Sequence, residues 1–285
     1  MDRYTRDVDI VLLRKRKKRR RQLIKFTAFM FIVGTAVMLY SKRDVWFPKL
    51  EGIGSRFQSV KSNGELAEGN FPLSISGGID YQTGNLNGYL AILSDAYLYI
   101  YNDNGELYEE RQHAYSNAML QTAGKKAMVY ESGGNRFRVE SRSKIIYSKK
   151  LEDNIIFARL SDDGRAAVIT SSETYICRLI VYDESGEEIY TRNCVERVTD
   201  LAFNEKATGC VLATADAGGG YVYSKIISVS FDSKKDNWVS EPLDTLCLKL
   251  YGGESGILVI GDTKYAYYNS KGEMQKEYEL SLIHI

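Results

Sequence analysis

The stretch YICRLIVYDESGEEIYTR, residues 175–192, decides the fold. An apolar, β-branched run reaches Tyr182, a polar turn Asp183-Glu184-Ser185-Gly186 interrupts it, and EEIYTR resumes an alternating pattern. Run, turn and run make a β-hairpin in which glycine supplies the positive φ of the turn. The same order recurs on both sides. YLYIY (97–101) is followed by NDNG and ELYEE, and YAYY (265–268) by NSKG and EMQKEY. All three copies share Tyr-Asn/Asp-x-x-Gly-Glu, at 101–106, 182–187 and 268–273.

A second element alternates with the first. It reads FARLSDDGRAAVITSS from Phe157, LAFNEKATGCVLATA from Leu201, AMLQTAGKKAMVYES from Ala118 and LCLKLYGGESGILVIGD from Leu246. Each is a short apolar strand, a polar or glycine turn, and a strand of small and β-branched residues. Anchored on Leu120, Leu160, Phe203 and Leu250, the copies are 40, 43 and 47 residues apart. Two hairpins recurring at that period are the signature of a β-propeller blade. Units starting near Ile79, Ser116, Ile155, Thr199 and Thr245 predict about five blades of four antiparallel strands. No long helical periodicity interrupts them, which argues against a βαβ fold. A count of 21 Tyr and 24 Gly against three Pro suits paired strands joined by tight turns.

The segment Ser161-Asp162-Asp163-Gly164-Arg165, within its alternating flanks, resembles the strand–Asp-Gly–strand element of TolB- and WD40-like propeller repeats. The Gly-His and Trp-Asp signatures of true WD40 repeats are missing, as is a quinoprotein-type Trp motif. The layout as a whole resembles uncharacterised membrane-anchored propeller-like proteins of Gram-positive anaerobes. That resemblance implies an outward-facing propeller and carries no active site with it.

The N-terminus has a different character. Residues 1–25 hold eleven Lys/Arg against three Asp, whereas from Asp44 onward 25 Lys/Arg face 34 Asp/Glu. Arg14, Lys15, Arg16, Lys17, Lys18, Arg19, Arg20 and Arg21 form an unbroken basic run. After Gln22 comes LIKFTAFMFIVGTAVMLY, 23–40, whose one charge is Lys25 at the cationic end. As a helix those residues span roughly 27 Å, close to the hydrocarbon thickness. Lys25 can snorkel toward the headgroups. Tyr40 and Trp46 are placed to mark the far interface. The reading is therefore a cytoplasmic tail (1–22), one transmembrane helix (23–40), a juxtamembrane stalk (41–70) and an extracytoplasmic propeller domain (71–279). The positive-inside bias sets that orientation across the plasma membrane. The basic run is assigned to anionic lipid headgroups, and the acidic body argues against nucleic acid. A cleaved signal peptide would need a small-x-small site after the apolar run, and there is none. The last residues, LSLIHI (280–285), read as sequencing-adapter read-through. The expectation is thus a longer natural protein with further blades.

Little in the sequence points to catalysis. His113 and His284 are the two histidines, too few for a His-based zinc site or a Ser-His-Asp triad. No G-x-S-x-G, H-E-x-x-H or P-loop occurs. Carboxylates are plentiful without a pair being singled out, so a glycosidase-type pair stays open. Asn102-Asp103-Asn104-Gly105-Glu106 faintly resembles a calcium loop but lacks the alternating Asp and distal Glu, and reads as a hairpin turn. Gly218-Gly219-Gly220 reads as a hairpin tip. Cys177, Cys194, Cys210 and Cys247 show no metal-ligand spacing. Cys177 and Cys194 are symmetric about Ser185-Gly186. A two-residue loop there would make them face each other as a candidate disulfide, while one extra residue would turn them to opposite faces. Four independent buried thiols is the other reading. The expected function is binding or scaffolding at the cell envelope, toward a protein, peptide or glycan partner, with no enzyme activity and no cofactor. A glycan-active hydrolase or lyase on a propeller face, and a single-span ligand sensor, are the alternatives.

Overall fold

The computed structural model describes Met30 and residues 80–280. The expected tail, stalk and span (Met30 apart), together with 71–79 and 281–285, lie outside the described residues. Among the described residues no helix is long and apolar enough to cross a membrane. Over residues 80–280 the chain is strands and turns, all within the second of two units, Ala67–Ile285.

Five four-stranded sheets follow one another, each a meander in chain order. Blade 1 comprises β1 (Gln82–Leu86), β2 (Tyr89–Leu93), β3 (Tyr97–Tyr101) and β4 (Leu107–Gln112). Blade 2 comprises β5 (Ala118–Ala123), β6 (Lys126–Glu131), β7 (Arg136–Ser141) and β8 (Ile145–Lys150). Blade 3 comprises β9 (Ile155–Leu160), β10 (Ala166–Thr170), β11 (Cys177–Tyr182) and β12 (Glu188–Cys194). Blade 4 comprises β13 (Arg197–Phe203), β14 (Gly209–Gly218), β15 (Tyr221–Ser230) and β16 (Asp236–Val239). Blade 5 comprises β17 (Cys247–Gly253), β18 (Gly256–Gly261), β19 (Lys264–Tyr268) and β20 (Met274–Glu279). The blades begin within a few residues of the expected positions. This is the all-β, four-stranded-blade architecture of a propeller.

Blade stacking follows from which faces are apolar. The two middle strands of a blade are covered on both sides, so β10 reads AAVIT with every residue buried. Val168 and Ile180 pack toward Met128 and Phe137 of blade 2. Ile169 and Leu179, one residue along each strand, pack toward Leu201 and Leu212 of blade 4. Equivalent clusters join blade 1 to 2 and blade 4 to 5. Each fully buried Leu, Ile or Val in these seams contributes about 1.5–3 kcal/mol relative to exposure. The fourth strand is polar, because one edge and much of its surface meet water: β20 is exposed throughout.

The shared turn motif has a mechanism. Asn102, Asp183 and Asn269 each accept, through Oδ1, the backbone N–H four residues on, at 2.8, 2.8 and 3.0 Å. Gly105, Gly186 and Gly272 then adopt φ of 75°, 89° and 81°. The Asn102 and Asn269 amides donate to the carboxylates of Glu106 and Glu273, both at 2.8 Å. The calcium-like stretch is thus a self-bonded hairpin turn.

In the three hairpins that share the motif, five residues separate the last paired positions (102–106, 183–187 and 269–273), and a bulge offsets that odd count. In all five blades the second residue of the outer strand is left out of the ladder: Tyr108, Ile146, Ile189, Asn237 and Gln275. Such a bulge twists the outer strand and blunts its free edge. In blade 3 it has a further effect. Beyond Ile189 the pairing returns to the symmetric register, and Cys177 lies directly opposite Cys194.

Candidate functional site

Two concave surfaces lie at opposite ends of the strands. The first is a cleft of about 680 Å³ where the turns after β9, β13 and β17 converge. Its floor is set by a second series of bulges. Ile156, Thr199 and Leu248 are skipped in the inner strands β9, β13 and β17. A bulge re-aims the residues that follow it, and here these include Arg159, Asp200 and Lys249.

Asp200 is fully buried and joins three blades. Its Oδ1 accepts from Arg159 Nε at 2.9 Å and lies 2.5 Å from Arg159 Nη2. Its Oδ2 accepts the backbone N–H of Leu250 at 2.9 Å and lies 3.5 Å from Lys249 Nζ. Arg159 stacks over the Phe157 ring at 5.2 Å. Burial of a carboxylate is tolerated because each oxygen accepts a hydrogen bond and two cations balance the charge. The arrangement is a three-blade clamp. On the rim, Ser161 donates to Asp163 at 2.5 Å, and Arg165 donates to the Ala207 carbonyl of the next blade's turn. Hydrogen bonding to the Glu254 carboxyl first, then desolvation and the charge of Glu254, raise the Glu205 carboxyl from its ordinary value.

The second surface is a groove of about 670 Å³ at the other end of blades 3 and 4. β14 and β15 are ten residues each, and β13 pairs β14 only as far as Ala215. Beyond it the hairpin continues as a two-stranded ribbon, with Tyr223 OH donating to Asp216 at 2.9 Å. Its tip is the expected one, with Gly219 and Gly220 at φ of 62° and 88°. Against the ribbon lie Ile176, Val195, Val222 and Val239, exposed by 50, 67, 49 and 51%. The charged residues among them, such as Glu196, Arg197 and Lys225, are of both signs. The sequence analysis missed this groove. Its one signal was that ten-residue apolar strands outrun the other strands of blade 4.

His113 and the four cysteines line neither surface, although Cys177 and Cys194 adjoin the groove residues Ile176 and Val195. His113 is buried, with Nε2 3.0 Å from the Ser94 carbonyl. Burial pushes its imidazole pKa down, with Arg138 adding to the effect. Beside it, buried Glu140 accepts from Arg111 Nη1 at 2.7 Å and Arg138 Nε at 2.6 Å, tying blade 1 to blade 2. Cys177, Cys194, Cys210 and Cys247 are free and buried. Among the described residues no group of three or more His, Cys, Asp or Glu is placed to hold a metal ion.

Residues 73–284 match a family of unknown function, DUF5711. No curated protein matches the chain. Among solved structures, the WD40 domain of Neurospora crassa Pan2 is similar at 10% identity and a TM-score of 0.49, over 68% of this chain and 63% of that one. BBS1N, solved in complex with ARL6DN, is similar at 14% identity and a TM-score of 0.49, over 70% of this chain and 66% of that one. The chain therefore spans just under two thirds of the length of each.

Proposed function

The chain belongs to the DUF5711 family, and from that premise we propose that it is a non-catalytic binding scaffold, anchored in the plasma membrane with its blades outside the cytoplasm. The anchoring rests on sequence: the basic run of residues 14–21 abuts the apolar stretch 23–40. The binding role rests on one observation, the exposed aliphatic groove formed by Ile176, Val195, Val222 and Val239 beside the β14–β15 ribbon. Apolar side chains grouped on a rigid sheet end favour a protein partner that buries its own apolar side chains there. A glycan would call for paired polar groups instead. Arg159 and Lys249 of the opposite cleft are already engaged by Asp200, which leaves the clamp a structural part.

Site-specific photo-crosslinking in intact cells tests this reading. A crosslinker at Val195 or Val222 should give discrete protein adducts, and one at Lys206 in the opposite cleft should not. Equal labelling from both faces, or none from the groove, refutes it. A reporter active only in the cytoplasm, fused after residue 60, should be silent. A bright signal there sinks the orientation.

A further inference from the structure

We propose that Cys177 and Cys194 are a redox pair, two thiols that a low-molecular-weight disulfide converts into a cross-strand bond fastening β12 to β11. The inference is independent of the binding role. Cys177 opens β11 and Cys194 ends β12, and the two are direct partners in the ladder. Facing residues of an antiparallel pair have Cα atoms about 4.5 or 5.5 Å apart, and both spacings fall within the span a disulfide bridges. Both side chains enter the same cluster, on the face toward blade 4. The bulge at Ile189 brings this about: without it the five-residue loop 183–187 would leave the pair one residue out of register.

The two thiols are also chemically unlike. Their mutual hydrogen bond, aided by the Val198 backbone, lowers the Cys177 thiol to about 7, while the same bond and burial push Cys194 up. Cys210 and Cys247 are both pushed up, burial being the largest cause. One attacking thiolate and one resolving thiol thus occupy facing positions of one ladder, which is the arrangement disulfide exchange needs. Although buried, the pair sits at the open end of its hairpin. Residues 173–176 before Cys177 are exposed, and so is Val195 after Cys194. β12 is held on one side only, by β11, so fraying of its last residue admits a small reagent.

The Cys177 thiolate attacks one sulfur of the small disulfide, forming a mixed disulfide and expelling one small thiolate. Cys194 loses its proton to solvent, and its sulfur attacks the Cys177 sulfur, expelling the second small thiolate. Two protein thiols are oxidised to one disulfide, and one small disulfide is reduced to two thiols.

The full chain, in detergent, is incubated with oxidised glutathione, capped with iodoacetamide under denaturing conditions, digested without reduction and analysed by mass spectrometry. A peptide linking Cys177 to Cys194 is expected, with Cys210 and Cys247 capped. Its rate of formation should rise with pH around a midpoint of about 7. The thermal midpoint should rise by several degrees and fall back on reduction. Capping of both Cys177 and Cys194, glutathione on either without an internal link, or a link from either to Cys210 would each overturn the proposal. The readout uses the unmodified chain, so no variant need fold.

Discussion

Replacing Asp200 by Ala removes the anion at the centre of the three-blade clamp. Two costs can be worked out. The backbone N–H of Leu250, itself 2% exposed, loses its acceptor, and an unsatisfied buried donor costs about 1–3 kcal/mol. Arg159 and Lys249 lose their counter-charge. Breaking a fully buried ion pair costs about 3–5 kcal/mol. These two side chains are 21 and 39% exposed, so water recovers much of that, leaving about 1–2 kcal/mol. The sum is about 3 kcal/mol, which for a domain near 200 residues lowers the thermal midpoint by about 6–12 °C. Asp200→Asn keeps an acceptor for Leu250 and should lose about half as much. Differential scanning calorimetry of the full chain in detergent measures both. An Asp200→Ala midpoint within about 2 °C of the parent would show that the clamp holds nothing together. Equal losses for Ala and Asn would assign the whole effect to charge and refute the role given to the Leu250 bond.

Other perturbations follow from the same geometry. Gly105→Val strains a turn at φ 75° and should cost about 1–3 kcal/mol. Gly186→Val and Gly272→Val should cost more than that backbone strain alone by urea unfolding, because the added carbon meets the Tyr147 and Trp238 rings of the preceding blades. A loss at Gly272 below about 1 kcal/mol would contradict this. Glu140→Ala strands two largely buried cations, Arg111 and Arg138, and should destabilise by about 3–5 kcal/mol, with Glu140→Gln milder. His113 is neutral in the folded state, since burial and Arg138 hold its pKa down against the raising effects of the Ser94 carbonyl, Glu140 and Asp95. The unfolded chain binds that proton below about pH 6.5, so stability should fall as pH drops from 7 to 5. His113→Phe should flatten that slope in thermal melts, and an unchanged slope would exclude the imidazole as its source.

The sequence alone determined the parts of this protein that depend on neighbours in the chain. The alternation of 97–101, 175–182 and 265–268 predicted strands, and the Asn/Asp and Gly of each turn predicted its closure. A period of 40–47 residues predicted blades, since each of these is read within a few residues of backbone hydrogen bonding. The facing of Cys177 and Cys194 was legible as symmetry, though for a shorter turn than the one present, with the Ile189 bulge making up the difference. Bulges have no such signature: the residues skipped include Tyr108, Asn237, Thr199 and Leu248, which share no side-chain chemistry. The charge clusters were hidden as well. Glu140 meets Arg111 from 29 residues away, and Asp200 meets Arg159 from 41 and Leu250 from 50, so in sequence each passes for a solvated strand residue. The groove arises only where the ends of blades 3 and 4 meet the overlong ribbon. Local periodicity is written in sequence because adjacent residues share one ladder. Charge pairing and surface shape are decided by stacking between blades, where the partner's distance along the chain carries no information.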